Sequence, residues 1–225
     1  MRRRATHRGI ITAAIILFLG FFSLTFSPVF AVTDGNNKVE AYLASKNAFE
    51  DVHGTPPAIP KPDWYFDATI YYTVSQNGPT SDLGTFANLA HETLNDARGW
   101  SRLGAKFVRV ESGGTLRLVL AEASRLPSYS SGCSVDWSCA VGNTVIINDD
   151  RWTGASTAWN AAGGSLRDYR HMVINHETGH WLGHGHESCS AAGASASVMQ
   201  QQSIDLMGCT FNPWPLESEL WTTRF

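Results

Sequence analysis

The chain has 225 residues, 43% of them hydrophobic and 16% charged, which suits a globular fold with one sizeable core once any targeting segment is removed. Residues 1–31 hold four of the 17 basic residues and none of the 20 acidic ones, so the remainder carries 13 basic against 20 acidic residues, a net charge of −7. That balance leaves no basic stripe for nucleic acid and argues against an anionic membrane surface as a partner.

In chain order, Arg2, Arg3, Arg4 and Arg8 precede an almost wholly apolar run from Ile10 to Phe26. Pro28 breaks the run, and Val29-Phe30-Ala31 places small residues at the spacing signal peptidase prefers. Residues 1–31 are expected to be a signal peptide cleaved after Ala31. The alternative is an uncleaved signal anchor, because the apolar run is nearly long enough to span a bilayer. Either reading exports the rest, as a secreted or a cell-surface-anchored protein; membrane contact is expected only if the segment stays attached. Residues 32–62, with turn and polyproline-like signals in "TDGNNK" and "HGTPPAIPKP", read as a linker or pro-segment. Residues 63–225 read as one folded domain, expected to be a monomer.

Within it, "DATIYYTV" (67–74) is rich in β-branched and aromatic residues and predicts a strand. Leu83, Phe86, Ala90, Leu94 and Ala97 recur at helical spacing, with Ser81 or Asp82 as the cap. "AKFVRV" (105–110) and "TLRLVLAEA" (115–123) predict two strands across a Gly113-Gly114 turn, and "TVIIND" (144–149) another. A Gly/Ser/Ala-rich stretch covers 153–165. Ser165 and Asp168 then open a helix that runs from Leu166 towards Leu182 and stops at Gly183. Pro215 begins a short C-terminal helix, "PLESELWTT". The order predicts a single α+β domain with helices packed on one mixed sheet.

The four cysteines allow three pairings. Cys133–Cys139 and Cys189–Cys209 are favoured because both close local loops bounded by turn residues. No C-x-x-C pair is present, which argues against a zinc knuckle.

The chemistry concentrates in "HETGHWLGHGH", 176–186. His176 and His180, four apart, share a helical face at the spacing at which two imidazoles hold one zinc ion. Glu177 follows the first, placed to reach a metal-bound water without ligating. Gly183 takes a left-handed turn without steric cost, and His186 returns to the metal. H-E-x-x-H alone arises by chance in about one such chain in a hundred; the glycine and third histidine lower that to a few in roughly 100,000. His184 is expected to leave the ligand face and sit beside the site. His171 is read as a structural histidine under the sheet, and His91 as surface. Asp149 and Asp150 read as turn residues, because two carboxylates are too few for calcium.

This pattern resembles the zinc signature of the metzincin clan of endopeptidases. With "VMQQQ" and "NPWP", it is most similar to an actinobacterial family of exported metzincin-like domains. The resemblance implies a zincin-like fold: a twisted, mixed five-stranded sheet, an active-site helix and a Met-turn beneath the metal. Met199 is the preferred Met-turn residue, with Met207 the other candidate, and Cys189–Cys209 would pin that turn. Gln201 stands where several metzincin families have a tyrosine, and no cysteine-switch propeptide is present.

The expected function is zinc-dependent endopeptidase. His176, His180 and His186 would hold one Zn²⁺, with Glu177 as general base and a peptide or protein as substrate. An edge strand near 140–148 would hold an extended peptide, with Trp137 in the loop "CSVDWSC" at the rim. Two rivals remain: a cell-wall peptide hydrolase, and a non-catalytic exported module that keeps zinc as a staple.

Overall fold

A computed structural model describes residues 67–225. The expected signal segment and the linker or pro-segment lie outside the described residues. No described helix is long and apolar enough to cross a membrane.

β1 (Ala68–Asn77) alternates as a half-buried strand should: Ile70 and Tyr72 enter the core while Thr69 and Tyr71 face out. α1 (Leu83–Leu94) starts where the Asp82 carboxylate accepts the Gly84 amide at 2.8 Å. It stops short of the predicted Ala97, because Asn95 spends its side chain on the outer strand. Its Oδ1 accepts the Phe107 amide at 3.0 Å and its Nδ2 donates to the Phe107 carbonyl at 3.1 Å.

β2 (Ala105–Arg109) and β3 (Leu116–Ala121) do not pair with each other across Gly113-Gly114. Both run parallel to β1, on opposite sides of it: β2 along Ala68–Tyr72 and β3 along Tyr72–Asn77. The chain crosses β1 at its middle. There a side chain on Gly114 would stand 2.8 Å from the Tyr71 carbonyl oxygen and 2.9 Å from the Tyr72 Cα, so only glycine allows the crossing. β4 (Cys139–Val141) and β5 (Thr144–Asn148) complete a five-stranded mixed sheet of order β2-β1-β3-β5-β4, in which only β4 is antiparallel. β2 and β4 are the edges; of the span 140–148 that sequence reading placed at an edge only the β4 part lies there, and Thr144–Asn148 lies between two strands.

The stretch read as Gly/Ser/Ala-rich, 153–165, begins at the end of one short helix, α2 (Asp149–Gly154), and contains another, α3 (Thr157–Ala161); buried Trp152 and Trp159 anchor them. Asn148 caps the first and Ser156 the second. Asp149 turns to Ser81, taking its amide at 2.9 Å and its hydroxyl at 2.5 Å. α4 (Leu166–Leu182) then begins at Ser165, whose Oγ accepts the Asp168 amide at 3.0 Å. α1 and α4 share the main core with Leu116, Leu118, Leu120, Val145 and Ile147 from the sheet; a smaller cluster around Val119, Leu126 and Ile146 covers the other face. This is the expected α+β arrangement, with helices packed on one mixed five-stranded sheet. The predicted C-terminal helix is instead one 3₁₀ turn, Glu217–Glu219, because Glu219 reaches back to the Leu216 amide at 2.7 Å and then into the neighbouring loop.

Candidate metal centre

α4 carries the first two histidines on one face, His176 buried and His180 half-buried. The helix ends at Gly183, whose φ of 109° lies in the left-handed region, and the His184 amide closes the turn on the Gly179 carbonyl at 3.0 Å. The reversed chain brings back His186. Donor nitrogens of His176, His180 and His186 all lie within 4.8 Å of one another.

Their hydrogen bonds show whether they suit a metal. His176 Nδ1 donates to the Val198 carbonyl at 2.8 Å and His180 Nδ1 to the His184 carbonyl at 2.9 Å. Each bond fixes the proton on Nδ1 and leaves the Nε2 lone pair free. His180 Nε2 stands 3.1 Å from His186 Nε2. Two nitrogens held about 2.0–2.1 Å from one zinc ion at the tetrahedral angle stand about 3.4 Å apart, so the pair needs little adjustment. Burial, and then the neighbouring His180, push the His176 imidazole down to about 3; burial lowers His180 and His186 too. All three are held neutral, as ligation requires.

Glu177 faces the same cleft. Burial pushes its carboxyl up to about 8, and its Oε2 is buried without a hydrogen-bond partner. Three neutral imidazoles and an unsatisfied acid in one open cleft fit a three-ligand zinc ion with a free coordination position.

Beneath the histidines, Met199 is fully buried, whereas Met207 is 59% exposed and sits in a left-handed turn with Gly208. A Cβ added at Gly179 would overlap Met199 Sδ and stand 3.0 Å from Trp100 Cζ2. This glycine costs the helix about 1 kcal/mol relative to alanine, yet it lets the methionine reach the backbone one residue before His180. Gly179→Ala should therefore destabilise the protein by about 1–2 kcal/mol, overpacking outweighing propensity. It should also weaken zinc binding; thermal melts and a zinc titration check both, and a stabilised variant would contradict the packing.

The Met199 loop is tied to the ligand segment at several points. The Glu187 amide donates to the Met199 carbonyl at 3.1 Å, and disulfides join Cys189 to Cys209 and Cys133 to Cys139. Gln202 Nε2 donates to the carbonyls of Ser197 at 3.1 Å and Asn212 at 2.8 Å.

A cleft of about 380 Å³ opens over the site. Its floor is α4 through Tyr169, Met172 and Val173; its walls are Trp137 to Ala140 on one side and Gln201 to Ile204 on the other. Asn148 holds the disulfide loop in place, donating from Nδ2 to the Val135 carbonyl at 2.8 Å and from its backbone N–H to the Ser138 hydroxyl oxygen at 3.1 Å. Trp137 both lines the cleft and receives the Arg151 guanidinium, 5.5 Å from its ring centroid. Tyr169 shares a 2.9 Å hydrogen bond with Ser203, and burial pushes its phenol up to about 12. Gln201 lies exposed in the wall.

The other described histidines stay out. His184 is buried between Trp221 and Trp100, with ring centroids 3.9 and 5.1 Å away, and its Nε2 donates to the Trp221 carbonyl. Its contribution to the site is its own carbonyl, which orients His180. His171 packs against α1 and the C-terminal segment, not under the sheet: it bonds Thr93 at 2.8 Å and lies 4.9 Å from the Trp214 ring. His91 is exposed and bonds the Tyr72 hydroxyl at 2.8 Å. Sequence reasoning missed Gly179, Tyr169 and Glu219. A glycine inside a helical H-E-x-x-H was the one local signal; the other two lack any spacing that marks them.

Among solved structures, a crystal structure of archaemetzincin from Methanopyrus kandleri aligns at 14% identity and a TM-score of 0.41, over 68% of this chain and 92% of that one. No curated protein matches the sequence. The family described as protein of unknown function DUF3152 matches residues 36–208, a span that holds all three histidines, Glu177 and Met199. Matched over most of its length, the chain belongs to the DUF3152 family.

Proposed function

We propose that the protein is an exported, metzincin-like zinc endopeptidase, with His176, His180 and His186 as ligands of one Zn²⁺ and Glu177 as the general base. The observation that carries this reading is Glu177: a buried carboxyl with a partnerless Oε2, in an open cleft beside three converging neutral imidazoles. A purely structural zinc site has no use for such an acid and is closed by four protein ligands.

Bound zinc supplies Lewis acidity, acidifying water and polarising a carbonyl oxygen. Glu177 takes the proton of the attacking water as its oxygen bonds to the scissile carbonyl carbon. It then delivers that proton to the amine nitrogen as the C–N bond breaks. The outer edge of β4 offers unpaired main-chain groups to an extended peptide, and Trp137 and Ile204 rim the cleft with apolar surface. The two disulfides support export, since they persist in oxidising compartments.

The test is an unbiased peptide-library digest with and without a chelator. Cleavage of interior peptide bonds should vanish with the chelator and return with zinc. Cleavage confined to cell-wall peptides would move the substrate class, and tight zinc binding without any cleavage would leave a binding module.

A further inference from the structure

Glu219 is 0% exposed, and every hydrogen bond its carboxylate makes is an accepted one. Its Oε2 takes the amides of Leu216 at 2.7 Å and Val198 at 3.0 Å. Its Oε1 takes the Ser197 hydroxyl and the Met199 amide at 2.9 Å, an amide that Ser197 Oγ shares at 3.0 Å. A buried carboxylate with four donors is a clamp on residues 197–199, the loop beneath the histidines.

One of these bonds differs from the rest. The Met199 N–H and the Val198 C=O belong to the same peptide group. That carbonyl is the one that accepts from His176 Nδ1 at 2.8 Å. A continuous chain therefore runs from the Glu219 carboxylate through the Met199 N–H and the Val198 C=O to the imidazole. Charge-assisted acceptance at the amide end polarises the peptide and makes its oxygen a stronger acceptor at the other end. A stronger bond at Nδ1 raises the basicity of Nε2.

We propose that Glu219 is a positioning residue for the metal centre, acting on His176 through the Val198–Met199 peptide as a carboxylate acts on a zinc-ligating histidine directly. The proposal rests on the three-histidine zinc site proposed above. It adds a residue 33 positions beyond His186, outside the H-E-x-x-H signature and the family match.

The experiment measures zinc affinity, independent of peptide cleavage. Glu219→Gln keeps the side chain's size and removes its charge; it should bind zinc about tenfold or more weakly, the range seen when partners of metal-ligating histidines are removed. Leu216→Pro is the comparison: the φ of −72° there suits proline, and the change removes an amide that donates to Oε2 while leaving the Met199–Val198 chain whole, so it should lower thermal stability and keep zinc affinity within about twofold. Affinity in Glu219→Gln within twofold of the wild type overturns the proposal, as does an equal loss in Leu216→Pro. Where Glu219→Gln does not fold, the wild-type chain decides by amide NMR. Zinc should shift the Met199 amide proton more than the Val198 amide proton, which bonds the same carboxylate from a peptide group that does not reach His176. Equal shifts overturn the relay while leaving the metal site intact; a wild-type chain that binds no zinc removes both.

Discussion

Glu177→Gln should keep the fold and the zinc ion and lose peptide cleavage by about 100-fold or more, the scale of general-base catalysis. The glutamine amide matches the carboxylate in size, and the ligand nitrogens belong to other residues, so nothing in the metal's surroundings changes shape. What disappears is the only proton acceptor among the charged side chains that line the cleft. A 100-fold loss corresponds to about 2.7 kcal/mol of transition-state stabilisation. The measurement is kcat/KM on a library-derived peptide at equal zinc occupancy, with the metal content of each sample determined. A variant within tenfold of the wild type at full occupancy would sink Glu177 as the base and return the cleft to the binding-module reading.

How legible the site was depended on how local its determinants are. α4 and both its ends could be read from adjacent residues: Ser165 with Asp168 opens the helix and Gly183 closes it, so the placement of His176, His180 and His186 followed from spacing alone. The two disulfides close short loops and were legible for the same reason. Strand partners were not. β2 and β3 look like neighbours across two glycines, but β1 is long enough to pair with each along half its length, and the role of Gly114 appears only where the chain passes over Tyr71 and Tyr72. The C-terminal segment misled in an instructive way. Glu217 to Glu219 look like the polar face of a helix, yet Glu219 is fully buried because three backbone amides and a hydroxyl from distant and local chain satisfy it. A glutamate's burial depends on donors that sequence spacing does not reveal.

Between pH 6.5 and 8 the metal-free wild type should lose about 1.5 kcal/mol of stability relative to Glu177→Gln. The sign follows from which state holds more protons. Burial raises the folded Glu177 carboxyl from 4.5 to about 8, so between these values the folded chain keeps a proton that the unfolded chain has released. Stability then falls with rising pH. His176 acts in the opposite sense: lowered from 6.5 to about 3, it costs stability as pH falls through that range. His180 and His186 are shifted the same way. Burial lowers His171 and His184 as well, and unfolded histidines are still half protonated at pH 6.5, so the two effects oppose each other there; the histidines act alike in wild type and variant, and the difference between the two isolates Glu177. Tyr72 and Tyr169, both pushed up to about 12 from 10, enter only at higher pH. Urea unfolding of chelator-treated wild type and variant at pH 6.5 and pH 8 gives the comparison, and parallel pH dependences would show that Glu177 is not the buried acid described. Adding zinc should flatten the wild-type slope, because a nearby cation favours the carboxylate. The residue whose replacement is expected to remove cleavage is thus the one whose replacement should stabilise the empty site above pH 6.5, as expected of a carboxyl buried beside a cation's place.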